Sequence, residues 1–293
     1  MSNKESYIFY AKTRRAYVIK TIGELLHSML ANTTIWVPFR ITSNEITIEQ
    51  HDQKEEQLVE IKLYKDKFNK YEIEKDISFL VNPNHLHKIL KSIKKKDAII
   101  MFIKQSDPMK LVISIEQPED ITNKVNQTVR ITYSNPGQFK PIEGYDYPIN
   151  MESKDFQKMK NLHVIDKTIN ITSKTGYLRF FCGDLYTKEI VISENESDNN
   201  PITYNQNFNA THITGLSKCA GQSGIVQVFV NENLPLKIKM RADELGDLIV
   251  YIKSHELNEL EREEKNRLNK NNQEEYDQPQ ENDIDDDNNY DDY

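Results

Sequence analysis

The side chains best placed for chemistry in this sequence are lysines and arginines carried on helices. Arg14 and Arg15 precede residues 17–30, where Val18, Ile22, Leu25, Leu26 and Met29 fall on one side of a helix that also carries Lys20. Residues 84–93 repeat the plan, with Leu86, Ile89, Leu90 and Ile93 inward, Lys88 and Lys91 on the wet face, and Lys94, Lys95 and Lys96 just after. Lys154, Lys158 and Lys160 lie in a third helical segment, 153–163, and Lys218 belongs to a fourth. Any one of these is an ordinary wet helix face. Together, in a nearly neutral body, they describe a surface that meets a polyanion. The cations are spread out and lack a base-reading pattern, so such a surface holds phosphates without reading sequence.

Other chemistries find no residues to perform them. His85 and His87 are two apart on one helix with no carboxylate or cysteine cluster beside them, a poor metal set. Cys182 and Cys219, the two cysteines, can form neither a disulfide framework nor a four-ligand site, and read as reduced, small packing residues. There is no Walker loop, nucleophile elbow or dinucleotide fingerprint, and Gly221-Gln222-Ser223-Gly224 is a turn. No catalytic residue, metal or cofactor is expected. No stretch approaches the ~18 apolar residues of a membrane span, and Met1 to Lys12 has no apolar signal-peptide core, so an intracellular place is expected.

The elements that position the cations follow from periodicity. Alternation at 46–48, 58–63, 99–103, 129–133 and 190–192 predicts strands, and only short pieces have helical period. This is an α+β chain rich in antiparallel sheet. A prolyl and glycyl stretch at 134–148 has no periodicity and reads as a linker. From 257 onward the chain is polar; 257–268 could form a charged, frayed helix, and 269–293 lacks the apolar residues to fold. Residues 257–293 hold 14 acidic and 4 basic side chains, a net −10 within a chain of −8, which leaves residues 1–256 at +2. The acidity of the 293-residue chain belongs to its tail, a solubilising segment or a competitor for the basic surface.

A repeat sets the architecture. Residues 81–113 align without a gap on 208–240, an offset of 127, with identities at Asn82/Asn209, His85/His212, Lys91/Lys218, Phe102/Phe229, Pro108/Pro235 and Lys110/Lys237. The apolar pairs Leu86/Ile213, Ile89/Leu216, Ile99/Val226, Met101/Val228 and Leu111/Ile238 keep the same phase. Two copies of one domain are expected: 1–133 and 149–256, joined by 134–148 and followed by the tail 257–293.

At this point the residues resemble a family. Phe9-Tyr10-Ala11 with Ile19-Lys20 and Glu24-Leu25-Leu26 resembles the opening strand and first helix of the PCNA family of sliding clamps. The run from Val81 to Lys91 is similar to that family's second helix, with its Lys-x-x-Lys. Leu234-Pro235-Leu236, Arg241 to Leu248 and Tyr251-Ile252 resemble its C-terminal motif.

The resemblance implies a homotrimeric ring of two-domain subunits, with antiparallel sheets outside and short helices lining a channel for duplex DNA. The implied function is that of a polymerase processivity factor, without catalysis, serving DNA replication and repair. It implies Lys20, Lys88, Lys91, Lys158 and Lys218 as DNA-facing residues, with Arg14, Arg15 and Lys160 as local additions. It implies subunit pairing through edge strands at 127–133 and 188–193, with Ile131, Tyr133, Ile190 and Ile192 at the interface. It implies a pocket for partner peptides made by Phe139, Pro141 and Ile142 of the linker with Pro235, Tyr251 and Ile252, and with His51 where the family usually has an apolar methionine. The implied partners are DNA polymerase, a clamp loader and other proteins carrying the clamp-binding motif, in a nucleus or a viral factory. The Asn, Lys and Ile bias fits an AT-rich genome such as that of a large DNA virus. Two alternatives stay open at this point: a clamp-fold viral late-transcription or accessory factor that is not a loaded ring, and a free-standing DNA-binding module.

Overall fold

The computed structural model describes residues 6–30, 33, 35–118, 120–135, 137, 140–174, 177–184, 187–193 and 203–276, the side chains of 120–124, 193 and 270–276 aside. The first half runs β1 (Tyr7–Thr13), α1 (Ala16–Leu30), β2 (Val37–Ile41), β3 (Glu45–His51), β4 (Gln57–Tyr64), β5 (Lys70–Ile73), β6 (Ile77–Val81), α2 (Pro83–Leu90), β7 (Ala98–Lys104), β8 (Asp107–Gln117) and β9 (Asp120–Tyr133). The second runs β10 (Ile149–Glu152), α3 (Ser153–Gln157), α4 (Leu162–Ile165), β11 (Thr168–Lys174), β12 (Tyr177–Cys182), β13 (Lys188–Ser193), β14 (Tyr204–Asn209), α5 (Ala210–Gly215), α6 (Ser217–Ala220), β15 (Ile225–Phe229), β16 (Leu236–Ala242) and β17 (Gly246–Ile252). A final helix, α7, spans His255–Tyr276.

All described strand pairings are antiparallel, as the alternation predicts. One ladder runs β10-β15-β16-β17-β4-β3-β2-β6-β9-β8-β7-β1-β5, and a second runs β13-β12-β11-β14. The repeated segment recurs element for element: β6, α2, β7 and β8 return as β14, α5 with α6, β15 and β16. The shared asparagine has a physical reason. Asn82 Oδ1 accepts from the N–H groups of Asn84 (3.0 Å) and His85 (3.1 Å) at the start of α2, and Asn209 Oδ1 accepts from Thr211 N–H (3.0 Å) at the start of α5. Each satisfies helix-start donors that have no partner within the helix.

The two halves are joined twice. β17 pairs with β4 from Gly246↔Leu63 to Ile252↔Gln57, which fuses the halves into one sheet. Gly246 is required there, because a Cβ would lie 1.8 Å from Lys62 O. On the helical side Gln222 Nε2 donates to Thr21 Oγ1, and Lys218 Nζ lies 3.1 Å from Glu24 Oε2, so α6 is tied to α1. The apolar core continues across both halves, from Phe9 through Phe79 and Phe180 to Ile252.

Two elements differ from the sequence reading. Segment 153–163 is two short helices, because the chain closes into three-residue turns at Lys158 and Lys160 and Asn161 leaves helical geometry (φ −118°, ψ 13°). At the C-terminus α7 extends past the expected frayed helix to Tyr276; residues 277–293 lie outside the described residues. Ser254 Oγ accepts the Leu257 N–H (3.0 Å) at its start, and Glu263 with Arg267 provides a supportive i,i+4 spacing. From Asn258 onward this is a separate unit.

Candidate nucleic-acid interface

Helical packing brings cations from both halves onto one surface. An open groove of about 730 Å³ is lined by Arg14, Arg15 and Tyr17 at the start of α1, Lys95 after α2, Gln157 and Lys160 around α3, and Lys218, Gly221 and Gln222 around α6. Lys160 and Lys218 also border a second groove of about 390 Å³ that runs on past Glu24, Asn161 and His163. Residues more than 140 positions apart thus share one cationic concavity, which a polyanion could span.

The eight expected cations are not equivalent. Lys20 Nζ donates to the carbonyls of Lys91 and Ile93, both at 2.9 Å, and so caps the end of α2. Arg15 donates to Glu244 at 2.8 Å and lies 3.4 Å from Asp243; the hydrogen bond to Glu244 above all, then the two nearby charges, holds its guanidinium pKa up. Lys158 pairs with Asp155 at 2.6 Å, and Lys218 pairs with Glu24. Arg14, Lys88, Lys91 and Lys160 make no ion pair among the described residues. Lys88 on α2 and Lys91 just after it are exposed and do not line the 730 Å³ groove. Lys95, one of the Lys94–Lys96 run that follows α2, lines the groove although the resemblance does not single it out. Beside α2, His87 stacks on His27 of α1 at 4.1 Å, and His27 Nδ1 lies 2.8 Å from Asn84 Oδ1. Burial first, and His27 next, push the His87 imidazole below its ordinary value.

The edge-strand expectations divide. β13 pairs only with β12 and ends its sheet. Ile190 is buried and Ile192 is partly buried against the core, so the exposed apolar side chain of that edge is Val191. In β9 the expected interface residue Ile131 needs correction. Residues 131–133 pair with Val81, Leu80 and Phe79 of β6, and Ile131 is fully buried while Tyr133 stays exposed. The part of β9 paired on one side only, to β8, lies upstream, ending at Arg130.

The linker docks on the second half through an unforeseen residue. Tyr145 Oη donates to Pro235 O at 2.7 Å, and its ring meets Phe229 and Tyr251 at 6.1 and 6.4 Å. Lys237 Nζ sits among those three rings, 4.8 to 5.7 Å from their centroids, and burial lowers its pKa. Of the expected pocket residues, Pro141 and His51 are exposed, Ile142 and Pro235 are half-buried, and Phe139 lies outside the described residues. Tyr251 and Ile252 are buried: Ile252 belongs to the core, and Tyr145 contacts the ring of Tyr251. An aromatic within a prolyl linker was the available signal for Tyr145.

Both cysteines are buried and free; burial pushes Cys219 up to about 12, which keeps it an unreactive thiol. The described residues that could together hold an ion are Asp52, Glu56 and His212, none of which lines the 730 Å³ groove. No helix among the described residues is long and apolar enough to cross a membrane.

Residues 8–134 match the family model for the proliferating cell nuclear antigen N-terminal domain. Over 255 residues the chain is 24% identical to a probable DNA polymerase sliding clamp 1 of Paramecium bursaria Chlorella virus 1, covering 83% of this chain and 95% of that one. A probable DNA polymerase sliding clamp of Autographa californica nuclear polyhedrosis virus is 22% identical, with 84% and 95% covered. Proliferating cell nuclear antigen 2 of Drosophila melanogaster is 21% identical, with 83% and 95% covered. The crystal structure of Proliferating Cellular Nuclear Antigen from Entamoeba histolytica superposes with a TM-score of 0.70 at 19% identity, covering 85% of this chain and 99% of that chain. The fold and the relatives, two of them viral, agree with the repeat and the motifs: residues 8–134 match the N-terminal domain of proliferating cell nuclear antigen, and the chain as a whole is similar to DNA sliding clamps.

Proposed function

We propose that this chain is a DNA sliding clamp, a processivity factor that encircles duplex DNA and tethers a polymerase and other partners to it. The observation that carries the reading is the convergence of Arg14, Arg15, Lys95, Lys160 and Lys218, from both halves, on one helical groove. Spread cations of this kind neutralise phosphates without fixing a register on the bases, which suits sliding. The clamp works by retention and performs no bond chemistry. Its relatives are named as sliding clamps, and nothing favours the transcription-factor alternative.

The repeat supports a ring. Through their neighbours, β17 corresponds to β9, since both follow the paired strands β7-β8 or β15-β16, and β13 corresponds to β4, since both close a β2-β3 or β11-β12 ladder. Within the chain β17 pairs with β4. The corresponding pair, β9 upstream of Ile131 and β13, keeps free edges among the described residues, so each chain can offer β9 to the β13 of the next. We read three chains per ring, with 1–133 and 149–256 as clamp domains, 134–148 as connector and 257–293 as acidic tail. Arg14, Lys88, Lys91 and Lys160 are the direct phosphate contacts, and Lys158, Lys218 and Arg15 exchange carboxylates for phosphates. The site of action is where DNA is copied, a nucleus or a viral factory. Partner peptides dock beside the linker at His51, Pro141, Ile142 and Pro235.

Light scattering after gel filtration tests the assembly. A mass three times 34.4 kDa is expected; a monomer at micromolar concentration would remove the ring.

A further inference from the structure

We propose that Asp52, Glu56 and His212 form a binding site for a divalent transition-metal ion of the zinc class, which clips the β3–β4 turn of the first half to α5 of the second. One ligand atom from each of the three lies within 4.8 Å of the other two, and all three side chains are partly buried. Two carboxylates and one imidazole, gathered across 160 positions of sequence, are a mixed donor set. Oxygen and nitrogen donors together suit zinc-class ions, whereas calcium and magnesium take oxygen ligands.

The supporting geometry points the same way. Asp52 Oδ1 accepts the N–H groups of Glu56 (2.8 Å) and Gln57 (3.0 Å), which orients the carboxylate and leaves Oδ2 for an ion. The Glu56 carbonyl accepts Lys253 N–H at 2.8 Å, which anchors the turn to the end of β17. On the other side, α5 is capped by Asn209, three residues before His212. His212 Nδ1 is buried and has no hydrogen-bond partner among the described residues. A buried nitrogen without a partner bears its full desolvation cost, and a metal ion is one group that relieves it. Two carboxylates then match the charge of a divalent ion. Three protein ligands leave a coordination position open to water or to an incoming group.

The consequence would be mechanical. Asp52 follows His51, so an ion here stiffens the rim of the proposed peptide pocket and cross-links the halves at a third place. The ion site depends on these residues alone, whether or not the chain encircles DNA.

The test is calorimetric titration of the full chain with zinc chloride near pH 7.5, repeated for His212→Gln, Glu56→Gln and, as a control for another histidine pair, His87→Gln. One tight equivalent per chain is expected, with a zinc-dependent rise in Tm. His212→Gln and Glu56→Gln should each weaken that equivalent by at least about tenfold, while His87→Gln leaves it intact. Both ligand variants should melt like the wild type without zinc, which separates lost binding from lost folding. Absence of a tight equivalent, one that survives either ligand substitution, or one lost in His87→Gln would overturn the proposal.

Discussion

Adding one methyl group at Gly246 should break the seam between the two halves. A Cβ there would stand 1.8 Å from Lys62 O, 2.8 Å from Lys62 C and 3.0 Å from Leu63 Cα, all backbone atoms that cannot swing aside. Since real Cβ atoms essentially never come within 3.0 Å of such an atom, β17 and β4 must part by about 1.2 Å at this point. Overpacking that side chains can absorb costs about 1–3 kcal/mol. Here the ladder itself must move, and each hydrogen bond it loses adds about 1 kcal/mol. Gly246→Ala should therefore destabilise the chain by about 3–4 kcal/mol, combining those two contributions. Urea unfolding followed by circular dichroism reads this as a fall in midpoint of about 1 M or more, given m-values of about 1–3 kcal/mol/M. Gly215→Ala is the matched control. No atom lies within 4 Å of its added methyl, so it should be neutral or stabilising by up to about 1 kcal/mol. A Gly246→Ala protein within about 0.5 kcal/mol of wild type, the range of an ordinary surface change, would refute the close approach and the continuous sheet it supports.

Further outcomes follow from the same contacts. Arg14→Ala and Lys160→Ala should each reduce the slope of log affinity for duplex DNA against log salt by about 0.9, as measured by fluorescence anisotropy. Lys20→Ala should instead lower stability by about 1 kcal/mol in urea unfolding, because it loses the Lys91 and Ile93 carbonyls. Val191→Asp, on the exposed side of β13, should shift the light-scattering mass toward one chain while leaving the far-UV spectrum unchanged. His87 has a folded pKa below its unfolded 6.5, so its contribution to stability is complete above that value and declines as pH falls through it. His87→Gln should flatten that part of a Tm-against-pH curve, and an unchanged curve would contradict the assignment.

Much of this molecule could be read locally. Strands such as β4 and β7 declare themselves by alternation, and the offset that pairs Asn82 with Asn209 marks a repeated segment whose shared asparagine the structure shows to be a helix cap. The cationic groove was legible as a set of helix faces, because burial on an amphipathic helix is decided by residues within two turns. What escaped the sequence is set by distant pairing. Ile131 looks like an edge residue until it pairs with β6 and is buried, and nothing near residue 131 announces that partner. Lys20 reads as a free cation because the carbonyls it caps lie 71 and 73 positions away. Tyr145 over Tyr251 and His212 beside Asp52 are contacts across the whole chain, beyond the reach of any local period.

The decisive observation is retention on DNA whose ends are closed. The protein would be placed on a nicked circular plasmid with an ATP-driven clamp loader, separated from free protein by gel filtration in moderate salt, and half of the sample cut once with a restriction enzyme. A closed clamp held by topology stays with the circles and runs off the linear molecules, with its groove contacts unchanged in both. Equal retention on circular and linear DNA, or none on either after loading, would contradict the ring.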